Sequence, residues 1–126
     1  MDRDAIEQQV RGYFADIDRF DLDATFARMA DDIRLQVEPT NVTAEGREAV
    51  RGVYEHILAG CASMEHRVLS LAIDAEERRV AVELTFASTT KEGASSSLHD
   101  VTWIELAEDG RIRRVAFWLG HDALAA

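Results

Sequence analysis

Residues 47–73 read REAVRGVYEHILAGCASMEHRVLSLAI, and the hydrophobic period changes partway along them. In the first half Val50, Val53, Tyr54, Ile57 and Leu58 recur at intervals of three and four, the stripe of an amphipathic helix that Gly60 is placed to end. From residue 64 to residue 73 the period is two, the pattern of a strand. Beyond it, residues 80–88, 98–106 and 112–119 alternate in the same way, joined by the turn-forming stretches DAEE, KEGASSS and EDG. Towards the N-terminus, Ile6, Val10, Tyr13, Phe14 and Ile17 mark a helix over about residues 4–18. Asp21 can cap a second, short helix carrying Leu22, Phe26 and Met29 and ending near Asp31 and Asp32. Ile33, Leu35 and Val37 form a brief strand that stops at Glu38-Pro39, because proline has no amide to give to a ladder. Three helices and then an antiparallel meander predict an α+β fold in which the helices cover one face of a curved sheet.

The chain has 126 residues, which fits a single domain over residues 1–126 with a core large enough to need neither disulfide nor metal. Fourteen Lys and Arg stand against 24 Asp and Glu, a formal charge of -10 that repels nucleic-acid phosphates and anionic lipid. No apolar run reaches membrane-spanning length, and the N-terminal MDRDAIEQQV is charged rather than signal-like, so no membrane partner is expected. The single cysteine, Cys61, excludes an internal disulfide and fits a cytoplasmic location; no Cys/His spacing suggests zinc. The strands VAVELTFA and RVAFWL are apolar on both faces, which predicts a homodimer through the outer face of the sheet.

Residues 98–104, LHDVTWI, place Leu98, Asp100, Thr102 and Ile104 on one face and His99, Val101 and Trp103 on the other. A carboxylate among apolar neighbours is costly unless it is paired or used, so Asp100 is either a structural ion-pair member or a site residue. His66, opening the first long strand, is a second candidate, since imidazole shuttles protons near neutral pH. His99 is expected to face outwards, and His56 and His121 to be solvent-facing or terminal. Asp18, at a helix end before a turn, reads as structural. No glycine-rich phosphate cradle, Ser/His/Asp order or metal-binding histidine pair is present, so no cofactor and no metal are expected.

The order of elements resembles the nuclear transport factor 2-like superfamily, which includes SnoaL-like polyketide cyclases, ketosteroid isomerase, scytalone dehydratase and limonene epoxide hydrolase. The resemblance is carried by YFADIDRFDLDATFARMADD (residues 13–32), EGREAVRGVYEHIL (residues 45–58) and EDGRIRRVAFW (residues 108–118). It implies a cone-shaped, cystatin-like fold with the pocket inside the cone, where Leu98, Asp100, Thr102 and Phe117 would point. Compared with ketosteroid isomerase, Tyr13 takes the place of the oxyanion-hole tyrosine and Tyr54 that of its supporting tyrosine. Glu38, before Pro39, matches the general-base aspartate only after a one-residue shift; without it Val37 takes the place. The second oxyanion donor falls on Thr102, with Asp100 two residues earlier on the same face. The resemblance implies a cofactor-independent enzyme that isomerises, cyclises or dehydrates an apolar carbonyl compound, with Asp100, Tyr13, Glu38 and His66 catalytic and Tyr54, Thr102, Leu98 and Phe117 binding the ligand. The alternative is a non-catalytic ligand-binding or protein-interaction domain of the same fold. An epoxide hydrolase, needing an Asp-Arg-Asp set where the last strand offers Arg113 and Arg114 but no acid before Asp122, ranks last.

Overall fold

The computed structural model describes residues 1–118; the expected strand end at Leu119, and His121, lie outside the described residues. Helix α1 (Arg3–Asp18) starts where Asp2 accepts the amide of Ala5 at 2.8 Å, and α2 (Leu22–Ala27) where Asp21 accepts that of Ala24 at 3.0 Å. Then follow β1 (Met29–Glu38), β2 (Val42–Glu45), α3 (Arg47–Ala59), β3 (Cys61–Asp74), β4 (Arg79–Thr90), β5 (Ser95–Leu106) and β6 (Ile112–Trp118). The six strands form one sheet in the order β2-β1-β6-β5-β4-β3.

The sheet is mixed rather than antiparallel throughout. After β1 the chain turns through β2, crosses by α3 to the far edge and meanders back, so that β6 arrives alongside β1 and pairs with it in parallel, Leu35 opposite Val115 and Val37 opposite Phe117. Met29 is also not helical. It opens β1 opposite Ile112, and a register shift between Met29 and Arg34 breaks the alternation that would have announced a strand there. Ser95, Ser96 and Ser97, expected in a loop, extend β5, with Thr89 and Ser95 hydroxyls 3.1 Å apart across the ladder.

Side chains facing the helices lie in rows across the strands. Ile73, Val80, Ile104, Val115 and Leu35 make one row, and Leu71, Val82, Thr102, Phe117 and Val37 the next. Against these rows and the neighbouring Leu106 and Ile112 pack Ile6 and Val10 of α1, Phe26 of α2 and Val50 of α3, nearly all without solvent exposure. Burying each such side chain stabilises the fold by about 1.5–3 kcal/mol. Towards the other end of β3, β4 and β5 the rows become Val68, Leu84 and Asp100, then His66, Phe86 and Leu98, then Met64, Ser88 and Ser96. There the core gives way to a cavity.

Candidate active site

The cavity measures about 210 Å³ and lies between this end of the sheet and helices α1 and α3. Asp100 and Thr102 on β5 line it, and alternation alone places both side chains there. Asp100 is 9 % exposed, yet no Lys or Arg among the described residues pairs with it. Its Oδ1 accepts the amide of Val101 at 2.7 Å. Burial holds its pKa above the ordinary aspartate value; the amides of Val101 and Trp118, and the charge of His66 and His99, pull against that rise.

Tyr13 of α1 and Tyr54 of α3 meet in the same cavity, their hydroxyls 2.5 Å apart and the side chains 2 % and 5 % exposed. Because one phenol donates to the other, a single O–H is left to donate elsewhere. Burial pushes both phenols up, Tyr13 further still because of the neighbouring Tyr54, so both remain protonated and the pair is a donor rather than a base. Phe14 meets Tyr13 edge-on at 5.0 Å and Phe26 meets Tyr54 at 5.6 Å, which fixes both rings.

His66 lines the cavity from β3, between the rings of Phe14 at 5.0 Å and Phe86 at 4.7 Å. Its partner is Asp18, the last residue of α1. One carboxylate oxygen accepts the His66 backbone amide at 2.8 Å and the other lies 2.6 Å from Nδ1. With Nδ1 engaged by a carboxylate, the proton of a neutral imidazole belongs on Nδ1, and Nε2 is the free nitrogen.

Tyr13, Tyr54, His66, Leu98, Asp100, Thr102 and Phe117 therefore share one cavity. Glu38 does not join them. The alternation that turns Leu35 and Val37 towards the helices turns Gln36 and Glu38 away, and Gln36 donates to Glu38 on that other face at 2.7 Å. His99 faces outwards as expected, bonded to Glu83 at 2.7 Å, and His56 is exposed on α3. Asp18 is the residue that sequence reasoning set aside and the structure brings to the site. A signal was present: it lies four residues after Phe14 and one after Ile17, at the edge of the buried stripe of α1. Phe14, Met64 and Phe86 also line the cavity. No three His, Cys, Asp or Glu side chains among the described residues gather as a metal set.

The helices of this α+β fold thus enclose, against the sheet, a mostly apolar cavity that contains acid–base groups. The SnoaL-like domain matches residues 10–115, and the chain belongs to that family. No curated protein sequence matches the chain. Among solved structures it is similar to a candidate polyketide cyclase from Xanthomonas campestris pv. campestris, at 18 % identity over 97 % of this chain and 95 % of that one, TM-score 0.85. It is similar to SalBIII, an epoxide hydrolase/cyclase-like enzyme of pyran-ring formation in the polyether salinomycin, at 20 % identity over 96 % and 95 %, TM-score 0.82. A Mycobacterium tuberculosis protein in complex with estradiol-17β-hemisuccinate is similar at 18 % identity over 94 % and 95 %, TM-score 0.80. These likenesses establish the fold, an α+β architecture of the nuclear transport factor 2-like kind. No described helix is long and apolar enough to cross a membrane.

Proposed function

We propose that the chain is a cofactor-independent enzyme that moves a proton on an apolar carbonyl compound, by isomerisation, cyclisation or dehydration. The observation that carries this reading is Asp100: a buried carboxylate without a cationic partner, in one cavity with a protonated hydroxyl pair and a histidine whose free nitrogen is set by Asp18. The ligand carbonyl takes the free O–H of the Tyr13–Tyr54 pair. Asp100 removes the adjacent proton, and Thr102 and Phe117 hold the ring system against the sheet. As the carboxylate loses its charge the enolate gains one, so charge is moved within the cavity and none is created there. The proton returns at a second carbon from Asp100, or a hydroxyl on the β-carbon leaves as water, taking its proton from Nε2 of His66 in the imidazolium form that Asp18 can pair. Glu38 has no part in this scheme, because its side chain is on the other side of the sheet.

A panel of one- to three-ring ketones and phenols tests the reading by thermal melting. A ligand of the folded state at about 100 times its dissociation constant stabilises by about 2.7 kcal/mol, a readily seen shift. If no member of the panel binds, the enzyme reading gives way to an interaction domain of the same fold. The outer face of the sheet supports the further reading that two copies pair there: Val101 and Trp118 are 44 % and 45 % exposed, with Trp103 beside them. Sedimentation of the intact chain at micromolar concentration should give a dimer, and a monomer there contradicts the pairing.

A further inference from the structure

Among the described residues, those that line the cavity include one carboxylate, Asp100, and none that is permanently positive. Asp100 stands alone. His66, among the described lining residues the one able to become cationic, has the Asp18 carboxylate 2.6 Å from its Nδ1. No Lys or Arg is among the described lining residues; Arg19, Arg28, Arg51 and Arg114 are tied to Asp16, Asp23 and Glu105. The two phenols, driven away from ionisation by burial, resist further negative charge. Around this lie five aromatic rings, Tyr13, Phe14, Tyr54, Phe86 and Phe117, and an aromatic face attracts a cation where one meets it. The whole chain, at a formal charge of -10, directs cations inwards and anions away.

We infer that this cavity sorts its ligands by charge, with Asp100 and the aromatic walls admitting neutral compounds and lipophilic ammonium ions and turning away carboxylates. The missing counter-charge of a nine-tenths buried carboxylate is thus supplied by the ligand, either as a cation or as the proton that a neutral ketone yields. Nothing in the pocket offers the bidentate cationic fork that a carboxylate or phosphate would call for. The inference rests on the reading of this cavity as a ligand site, and it narrows the substrate class within it: apolar ring compounds with no acidic substituent, those bearing an amine included.

Three probes with one ring skeleton test it: 2-acetylnaphthalene, 2-naphthylmethylamine and 2-naphthoate, titrated calorimetrically into the intact chain at about pH 8, where free carboxyl groups are ionised and free alkyl amines are largely protonated. The amine and the ketone should each bind at least about tenfold more tightly than the carboxylate, a difference of about 1.4 kcal/mol. In Asp100→Asn the advantage of the amine over the carboxylate should shrink to about threefold or less. A carboxylate that binds the wild type as tightly as the ketone overturns the inference, and does so even if the variant fails to fold. Amine binding without ketone binding upholds charge selection and overturns the carbonyl enzyme; if none of the three binds, both fall.

Discussion

Gly12 sits on α1 under the guanidinium of Arg28. A Cβ at this position would lie 2.3 Å from Arg28 Nη2 and 2.4 Å from Cζ. Gly12→Ala sets two effects of opposite sign against each other. In a helix interior alanine is favoured over glycine by about 1 kcal/mol. Against this, the guanidinium must leave a site in which Nε donates to Asp16 Oδ2 at 2.7 Å and Nη1 to Gln9 Oε1 at 2.7 Å. Asp16 is 4 % exposed, so the lost charge is not replaced by water. Removing the only partner of a buried ion costs about 3–5 kcal/mol; because Arg19 still reaches Asp16 Oδ1 at 2.6 Å, we take about half of that, with about 1 kcal/mol more for the Gln9 bond. The net is a loss of about 2 kcal/mol, or a fall in Tm of roughly 8 °C for a chain of this size. Thermal and urea melting of the two proteins measures it. An alanine variant as stable as the wild type, or more so, would mean that helix propensity wins and that the Arg28–Asp16–Gln9 network does not hold α1 in place. That helix carries Tyr13 and Asp18, so its placement also sets the cavity.

The pH dependence of stability follows from Asp100. Its pKa is raised on folding by burial, so the folded chain binds the proton more tightly and wild-type stability falls as pH rises from the unfolded value of about 3.9 through the folded one. Asp100→Asn keeps an acceptor for the Val101 amide and removes the charge; it should match or exceed the wild type in melting at about pH 8 and lose that advantage towards about pH 4, whereas a clearly weaker variant at the higher pH marks a structural carboxylate. Asp18→Asn leaves an acceptor for the His66 backbone amide but no longer dictates the imidazole tautomer, so turnover should fall by about 10²–10⁴ with stability nearly kept. Unchanged turnover there removes His66 from proton transfer.

What the sequence made legible depended on how local the cause was. The period change after Gly60 is a local property, and it located α3, β3 and the strands that follow. The parity of Asp100 is likewise local, since period-two alternation with Leu98 and Thr102 decides its face. Glu38 shows the opposite side of the same rule: a one-residue shift, tolerable in a comparison of sequences, moves a strand side chain to the other face of the sheet. Met29 was hidden by the irregularity in β1, and β2 by being four residues long with hardly a buried side chain. The parallel pairing of β1 with β6 and the clamp of Asp18 on His66, 48 residues away, are long-range facts with no trace in any window of sequence. Asp18 could be seen to lie near the buried side of α1, but what it would meet there could not.

Exchange of the protons beside a ketone carbonyl, followed by NMR in deuterated water with 2-tetralone as the probe, reads the proposed chemistry without knowledge of the natural substrate. The wild type should accelerate exchange over buffer, with a rate that rises with pH as Asp100 loses its proton. Tyr13→Phe should lower that rate by about 10²–10³ and Asp100→Asn by about 10²–10⁴. Binding of the ketone with exchange no faster than in buffer, or exchange equally fast in Asp100→Asn, would contradict a cavity built to move protons.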